Sequence, residues 1–224
     1  MTSSGTGCVL SDKNIIEEID KGNIIIDPFD LRNLSNSSYD VTLGSWYFRN
    51  TTKMDYFNPW SEKDVNEYWG QPQQAVIAKD NEYGLKDEQQ YILIYPGETI
   101  LSHTEQFIGT TEKSQITTMM KSRSSIMRSG LSFCKCAGWG DIGFFNRYCV
   151  EITNHGTSKI LLLVGKRVSQ IVFMYTGLTD NPYNKNGKYQ NTNDLEQLKR
   201  EWSPISLLPK LYLDWENAND ILVI

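Results

Sequence analysis

The sequence is poor in the side chains that bind transition metals. It has two histidines, His103 and His155, far apart in the chain, and four cysteines that form no C-x-x-C pair. A structural or catalytic zinc site needs several thiolate or imidazole ligands at suitable spacing. The sequence therefore predicts no zinc centre, and we interpret His103 as a packed or surface side chain rather than a ligand.

The chain also lacks an excess of positive charge and long apolar runs. The chain carries 22 Lys and Arg against 27 Asp and Glu, a net charge of −5. Binding to a nucleic-acid backbone rests on clustered cations, so we expect no nucleic-acid partner, although a small anion held by a local basic cluster stays possible. No apolar run reaches the roughly 18 residues that suggest a membrane span, and no basic-then-apolar leader begins the chain. We expect no membrane association and a cytoplasmic location.

The patterns that are present predict one mainly β domain over residues 1–224. A chain of 224 residues that is 39% hydrophobic can bury a sizeable core. Ser11 precedes an amphipathic pattern over 12–20 that predicts a short helix. Alternation over 38–44 predicts a half-buried strand, and the apolar run over 159–164 predicts a fully buried one.

Two segments depart from this β pattern. Residues 50–88 are rich in aromatic, acidic and amide side chains with little periodicity. They are either an insertion that lies on the main body or on a neighbouring subunit, or an ordinary surface loop. Near the carboxy terminus, residues 194–202 have helical character. Residues 203–224 form an extension that we expect to dock on a neighbouring subunit.

The richest stretch runs from 121 to 154. Lys121, Arg123, Ser124 and Ser125 place cations beside hydroxyl donors, which suits phosphate binding, although a polar turn gives the same pattern. Further along, Asp141 lies in a glycine-rich turn.

An acid follows on an apolar strand. Glu151 shares one face of that strand with Cys149. A carboxyl among apolar neighbours has a raised pKa and suits a general base, whereas an edge-strand Glu facing water is the alternative. Asp40, at the start of an earlier strand, is interpreted as a structural turn or cap residue.

These motifs resemble those of the dCTP deaminase and trimeric dUTPase superfamily. The similarity lies in S-R-S-S-I-M-R-S-G-L at 122–131, C-A-G-W-G-D-I-G-F at 136–144, and the Glu-ending strand that follows. The K-Y-Q at 188–190 resembles a mobile carboxy-terminal segment that closes over the triphosphate, so 181–224 is interpreted as that segment plus the extension. Gly140, Ser169 and Thr192 depart from the family pattern.

The resemblance implies a fold and an assembly. The expected fold is a dUTPase-like, distorted, mainly antiparallel β-barrel of the β-clip type, with a short amino-terminal helix and a carboxy-terminal extension. The expected assembly is a homotrimer with active sites at its subunit interfaces.

The resemblance also implies site residues. The catalytic set is Glu151 as the proton-shuttling base, Arg128 to fix it and the water, the main chain at Ala137, and Asp141 at the sugar. The substrate-binding set comprises Arg123, Ser124, Ser125, Trp139, Cys149, Gln170, Tyr183, Lys188, Tyr189 and Thr192. Mg²⁺ is expected with the triphosphate, held mainly by the phosphates.

The activity implied is deamination of dCTP without zinc, since the H-x-E and P-C-x-x-C signature of zinc deaminases is absent. Ala137-Gly138-Trp139 resembles the bifunctional enzymes that continue to dUMP and pyrophosphate, which would supply the dTTP precursor. The alternatives are dUTP hydrolysis without deamination, a deaminase that stops at dUTP, and a non-catalytic nucleotide-sensing relative.

Overall fold

The structure is a computed structural model that describes residues 8–50, 52–183 and 187–214. Four α-helices and sixteen strands are found in these ranges. The helices are α1 (Asp12–Asp20), α2 (Glu62–Trp69), α3 (Ser124–Arg128) and α4 (Leu195–Glu201). The strands are β1 (Ile24–Asp27), β2 (Leu34–Ser35), β3 (Ser38–Thr42), β4 (Trp46–Arg49), β5 (Gln73–Gln74), β6 (Val76–Ile77), β7 (Gln90–Ile94), β8 (Thr99–His103), β9 (Phe107–Thr110), β10 (Ile116–Ser122), β11 (Leu131–Phe133), β12 (Trp139–Gly140), β13 (Phe145–Asn146), β14 (Cys149–Asn154), β15 (Ile160–Leu163) and β16 (Arg167–Tyr175).

The strands form four sheets whose pairings are all antiparallel within the described ranges. Two sheets have five strands, in the orders β12-β10-β16-β3-β2 and β11-β14-β8-β4-β5. Two have three strands, β1-β9-β13 and β15-β7-β6. The mainly β, antiparallel prediction is confirmed. Among the described strands the sheets remain open and do not join into one closed barrel.

The amino-terminal helix lies where the sequence predicts it. The Ser11 side chain accepts a hydrogen bond from the main-chain N–H of Asn14, and the Asn14 side chain caps Ser11 in return. This reciprocal cap satisfies donors that a helix start leaves open. Ile15 on the inner face is fully buried in the main core.

Two strand predictions were wrong about burial. All five residues of β3 are buried, because its polar side chains have internal partners. Thr42, for example, receives a hydrogen bond from the Gln106 amide, and its main-chain N–H donates to the same side chain. Conversely β15 is only partly buried, with Leu162 alone inside, because it lies at the edge of its sheet.

Segment 50–88 and the carboxy-terminal extension pack on each other. Val65 of α2 is buried in a cluster with Phe48, Leu207 and Leu208. The first part of the extension is therefore docked on its own chain, which corrects the expectation that it docks on a neighbouring subunit. Residues 215–224 of the predicted extension lie outside the described residues.

His103 is a packed side chain, as predicted. Its Nε2 accepts from the Trp46 N–H at 3.2 Å, and Nδ1 faces the Thr104 carbonyl at 2.8 Å. Burial lowers the pKa of His103 to about 4, so the ring is neutral and held in one tautomer. No helix within the described ranges has the length and apolar character to cross a membrane.

Candidate active site

A cavity of about 510 Å³ opens between β14, the turn after β12, the carboxy-terminal segment and the extension. A volume of that order is typical of a site for a small ligand. Eight of the predicted site residues line it: Ala137, Trp139, Asp141, Cys149, Glu151, Tyr183, Lys188 and Tyr189.

Glu151 comes from the middle of the sheet. Its strand β14 lies between β11 and β8, and Glu151 is directly opposite Leu101. The reading as an edge-strand Glu facing water is therefore wrong. Cys149, two residues earlier, faces the same cavity, as the alternation along a strand requires.

The surroundings of Glu151 favour its neutral form. One carboxyl oxygen, Oε2, is buried and has no hydrogen-bond partner in the described structure. Burial raises the pKa of Glu151, and a main-chain hydrogen bond and the charge of Lys135 offset this in part. Burial likewise raises the pKa of the Cys149 thiol well above its usual value. A raised pKa makes this carboxylate a stronger proton acceptor than an ordinary Glu, which suits a general base.

Asp141 lies in a tight turn at the cavity and is exposed. Its carbonyl accepts from the Phe144 N–H at 3.1 Å, and Gly143 adopts a φ of +93°, which favours glycine. The two cavity carboxylates thus have different environments: Glu151 is half-buried in the sheet, and Asp141 is exposed to water.

The main chain at Ala137 offers an acceptor rather than a donor. Its N–H donates to the Cys134 carbonyl at 2.5 Å, across Lys135 and Cys136. Cys134, Lys135 and Cys136 all have positive φ, a conformation that costs free energy in non-glycine residues. The Ala137 N–H is therefore already engaged and does not bind a water as a donor.

The carboxy-terminal segment lies on the Asp141 turn. The Gln190 side chain is buried, accepts from the Phe145 N–H at 2.8 Å and donates to the Gly143 carbonyl at 3.0 Å. The Tyr183 N–H donates to the Ile142 carbonyl at 2.8 Å, and its hydroxyl accepts from the Tyr189 N–H at 3.0 Å. Gln190 was not among the predicted site residues, although it belongs to the K-Y-Q motif.

Lys188 brings a cation to the cavity, where it forms an ion pair with Asp214 of the extension. The extension holds this segment further through Lys210, whose N–H donates to the Tyr189 hydroxyl at 3.1 Å and whose ammonium donates to the Lys188 carbonyl at 3.0 Å.

The other six predicted residues do not line the cavity: Arg123, Ser124, Ser125, Arg128, Gln170 and Thr192. Ser124, Ser125 and Arg128 are exposed on the short α3. Thr192 instead accepts from the Asp194 N–H and donates to Gln197 at the start of α4, which gives it a structural position.

Asp40 organises part of this second group. It is buried within β3 and pairs with Arg167 at 3.1 Å and with Arg123 at 3.4 Å. Gln170 lies directly between Asp40 and Lys121 across three neighbouring strands. Asp40 is therefore structural, as predicted, but as an ion-pair centre inside a strand rather than as a cap. We call Lys121, Arg123, Ser124, Ser125, Arg128 and Gln170 the basic face.

Several cavity residues that the sequence did not predict come from segments without a motif. Trp69 belongs to α2, while Leu207 and Pro209 belong to the extension. Arg147 also lines the cavity, with its guanidinium between the rings of Phe107 at 4.9 Å and Trp202 at 4.6 Å. A positional signal existed for Gly140 and Phe144, which lie inside the motif at 136–144, and for Arg147 and Tyr148, which shortly precede Glu151.

One departure from the family pattern, Gly140, has a packing reason. A Cβ on Gly140 would overlap the hydroxyl oxygens of Tyr148 and Thr118, which hydrogen-bond to each other at 2.6 Å. Ser169 does not have a positive φ and pairs with Ser122 of β10 in regular register, while the pairing of β16 with β3 shifts between Arg167 and Ser169. The backbone at Ser169 therefore needs no glycine.

No group of three or more His, Cys, Asp or Glu residues able to hold a metal occurs in 8–50, 52–183 or 187–214. Asp141 is the exposed carboxylate at the cavity, and Mg²⁺ is commonly bound by one or two carboxylates together with substrate phosphates. The donor set fits a metal that arrives with a phosphate chain.

Comparisons with known proteins agree with this geometry. The model of the dCTP deaminase-like family matches residues 9–176. A "dCTP deaminase, dUMP-forming" of Methanobrevibacter smithii is 32% identical over 206 residues, covering 89% of this chain and 96% of that protein. The protein with the same description from Methanosphaera stadtmanae is 30% identical over 207 residues, covering 88% and 98%.

The fold also resembles a solved structure, the 2′-deoxycytidine 5′-triphosphate deaminase of Agrobacterium tumefaciens, with a TM-score of 0.53 at 16% identity. The match covers 76% of this chain and 49% of that one, so the chain spans about half the length of that deaminase. The family match extends from before α1 to the end of β16 and includes both Asp141 and Glu151. The chain therefore belongs to the dCTP deaminase-like family.

Proposed function

We propose that the protein deaminates dCTP and hydrolyses the product in the same site, giving dUMP, pyrophosphate and ammonia. The observation that carries this is Glu151, a half-buried carboxyl with a raised pKa that lines the cavity shared with Asp141. Family membership and relatives described as dUMP-forming support it.

In the first step, water adds to C4 of cytosine. Glu151 takes the proton of the water as its oxygen bonds to C4, and then gives a proton to the amino group, which leaves as ammonia. The Ala137 carbonyl accepts a hydrogen bond from the same water. Because Glu151 Oε2 has no hydrogen-bond partner in the described structure, this oxygen can accept the proton.

In the second step, water attacks the α-phosphorus and pyrophosphate leaves. Asp141 is the carboxylate that can orient this water, since it is exposed at the cavity and beside the segment carrying Lys188. Mg²⁺ would supply charge neutralisation to the triphosphate, and Asp141 and the phosphates would hold it.

The complete site would combine the cavity of one chain with the basic face of another. Arg123, Ser124, Ser125 and Gln170 would bind the triphosphate, and Arg128 would reach Glu151, yet none of them lines the cavity of its own chain. A homotrimer with the cavity at each subunit interface supplies both halves, which is the assembly that the family resemblance implies.

The alternatives differ in their products. If the protein hydrolysed dUTP without deamination, Glu151 would have no catalytic role. If dUTP were the final product, Asp141 would only contact the sugar. A non-catalytic relative would not need a carboxyl with a raised pKa at the cavity, so Glu151 disfavours this alternative.

The deciding experiment incubates the protein with dCTP, dUTP, dCMP and CTP and separates the products by chromatography. We expect dUMP from dCTP with little free dUTP. Accumulation of dUTP without pyrophosphate would establish a single-step deaminase, and no ammonia from dCTP would refute the proposal.

A further inference from the structure

An apolar wall lies next to Glu151 in the cavity. Leu101 is directly opposite Glu151 in the β8–β14 register, so the two side chains share a face of the sheet. The Cys149 thiol donates to the Leu207 carbonyl at 3.5 Å. Leu101, Cys149 and Leu207 pack in one cluster with Trp69, and all four line the cavity. We call Trp69, Leu101 and Leu207 the apolar wall.

The proposed reaction determines what must lie against this wall. Proton transfer between Glu151 and the reacting atoms places C4 of the pyrimidine within hydrogen-bond reach of the carboxyl. A six-membered ring extends only a few ångströms from C4, so its faces and edges must contact the side chains around Glu151. The other charged side chains of the cavity, Asp141, Arg147 and Lys188, are left for the sugar and phosphates.

We propose that Leu207 is a base-binding residue that packs against the pyrimidine ring and sets the affinity for the nucleobase. This inference rests on the proposed deamination at Glu151. Leu207 lies beyond residues 9–176, so part of the base-binding surface comes from outside the matched family region. Trp69, from segment 50–88, supplies another part of that surface.

The extension is held firmly enough to act as a fixed wall. Leu208 is buried beside Leu207 in the same cluster, and the Ser203 side chain accepts from the Ile205 N–H to form the turn that precedes them. Lys210 hydrogen-bonds to Tyr189 on the other side of the cavity. Because the wall is preorganised, the ring can pack on it with little ordering cost.

The chain offers a matched pair of leucines for the test. Leu207 is 4% exposed and Leu208 is 3% exposed, and both belong to one cluster, but only Leu207 lines the cavity. Alanine at either position should lower the melting temperature by a similar amount. Leu207→Ala should also raise KM and Kd for dCTP by about tenfold, the scale of a lost apolar contact in a binding pocket. Leu208→Ala should leave both within about twofold.

Two further readouts separate base binding from a structural effect. Leu207→Met should restore KM because it restores the apolar volume. Leu207→Ala should bind inorganic triphosphate as well as the unmodified protein does, because its lost contact is with the base. Should Leu207→Ala fail to fold, Leu207→Val carries the test, with an increase of about threefold in KM and Kd expected.

Equal shifts of KM in the two alanine variants, or an unchanged Kd for dCTP in Leu207→Ala, would overturn the inference. If the unmodified protein binds dCTP but releases no ammonia, the proposed function fails. The Kd for dCTP in Leu207→Ala then still tests whether Leu207 contacts the base. If it does not bind dCTP at all, both proposals fall.

Discussion

The cavity and the basic face differ in the charge that surrounds their predicted site residues. In the cavity, Glu151 is surrounded by apolar side chains and one of its oxygens has no partner, so burial raises its pKa. On the basic face, Arg123 pairs with the buried carboxylate of Asp40, which also pairs with Arg167, and Ser124 and Ser125 are exposed. The cavity thus holds a carboxyl among apolar side chains, whereas the basic face holds cations and hydroxyls near water.

The difference explains why the two regions are apart in one chain. A cation next to Glu151 lowers its pKa and weakens it as a base, while a buried cluster of unpaired cations is costly. Within one chain neither cost arises, because none of the basic-face residues lines the cavity. The following predictions test this difference between the cavity and the basic face, beginning with the largest expected effect.

The largest effect is expected for Glu151→Gln. The amide keeps the shape but cannot accept a proton, so ammonia release from dCTP should fall by at least about a hundredfold. Binding of dCTP should persist within a few-fold. Glu17→Gln, on the exposed side of α1, is the matched control and should retain full activity. A Glu151→Gln protein that still releases ammonia at the normal rate would remove Glu151 from the chemistry.

Asp141→Asn should separate the two steps. Loss of the carboxylate should slow pyrophosphate release by roughly tenfold more than ammonia release, because only the second step needs a water oriented at phosphorus. Both products can be followed in one reaction, so their ratio is an internal control. A constant ratio would show that Asp141 contacts the sugar only.

Metal removal should affect binding of the phosphates rather than the base chemistry. Chelation of Mg²⁺ should reduce turnover of dCTP by roughly tenfold or more, because the triphosphate then carries its full charge into the site. A zinc-selective chelator should leave turnover unchanged. Stoichiometric zinc in the active protein, measured by elemental analysis, would contradict this expectation.

A moderate shift is expected in the pH profile. If Arg128 of another copy approaches Glu151, its charge lowers the pKa of Glu151, so the low residual deamination by Arg128→Gln should show an acid limb about one unit above that of the unmodified protein. Arg200→Gln, on exposed α4, is the control and should not move it. An unmoved acid limb in Arg128→Gln would place Arg128 away from Glu151.

The smallest effect concerns stability. Because the folded-state pKa of Glu151 is raised, its relative stabilisation is present below the unfolded pKa and is lost as pH rises through the folded value. Glu151→Gln should therefore melt about 2–4 °C above the unmodified protein at neutral pH, and this gain should vanish below about pH 4. Equal gains at both pH values would mean that burial does not perturb this carboxyl.

Short-range sequence patterns were sufficient to predict elements whose contacts lie close in the sequence. The cap at Ser11 and the placement of Asp141 and Glu151 follow from residues close in sequence. The burial of β3 was missed because the internal partner of Thr42 is Gln106, 64 residues away. Leu207 could not be predicted as a cavity residue, since its position depends on packing against α2 across more than a hundred residues.

The most direct test of the division between the two regions is a mixing experiment. Glu151→Gln chains lack the base but keep the basic face, and Arg128→Ala chains lack the cation but keep the base, so each variant alone should be nearly inactive. If every site combines two copies, unfolding and refolding them together at equal amounts should restore ammonia release to about a quarter of the unmodified level, the share of interfaces with both groups intact. Activity that stays at the level of the separate variants would show that one chain supplies both residues to its own site.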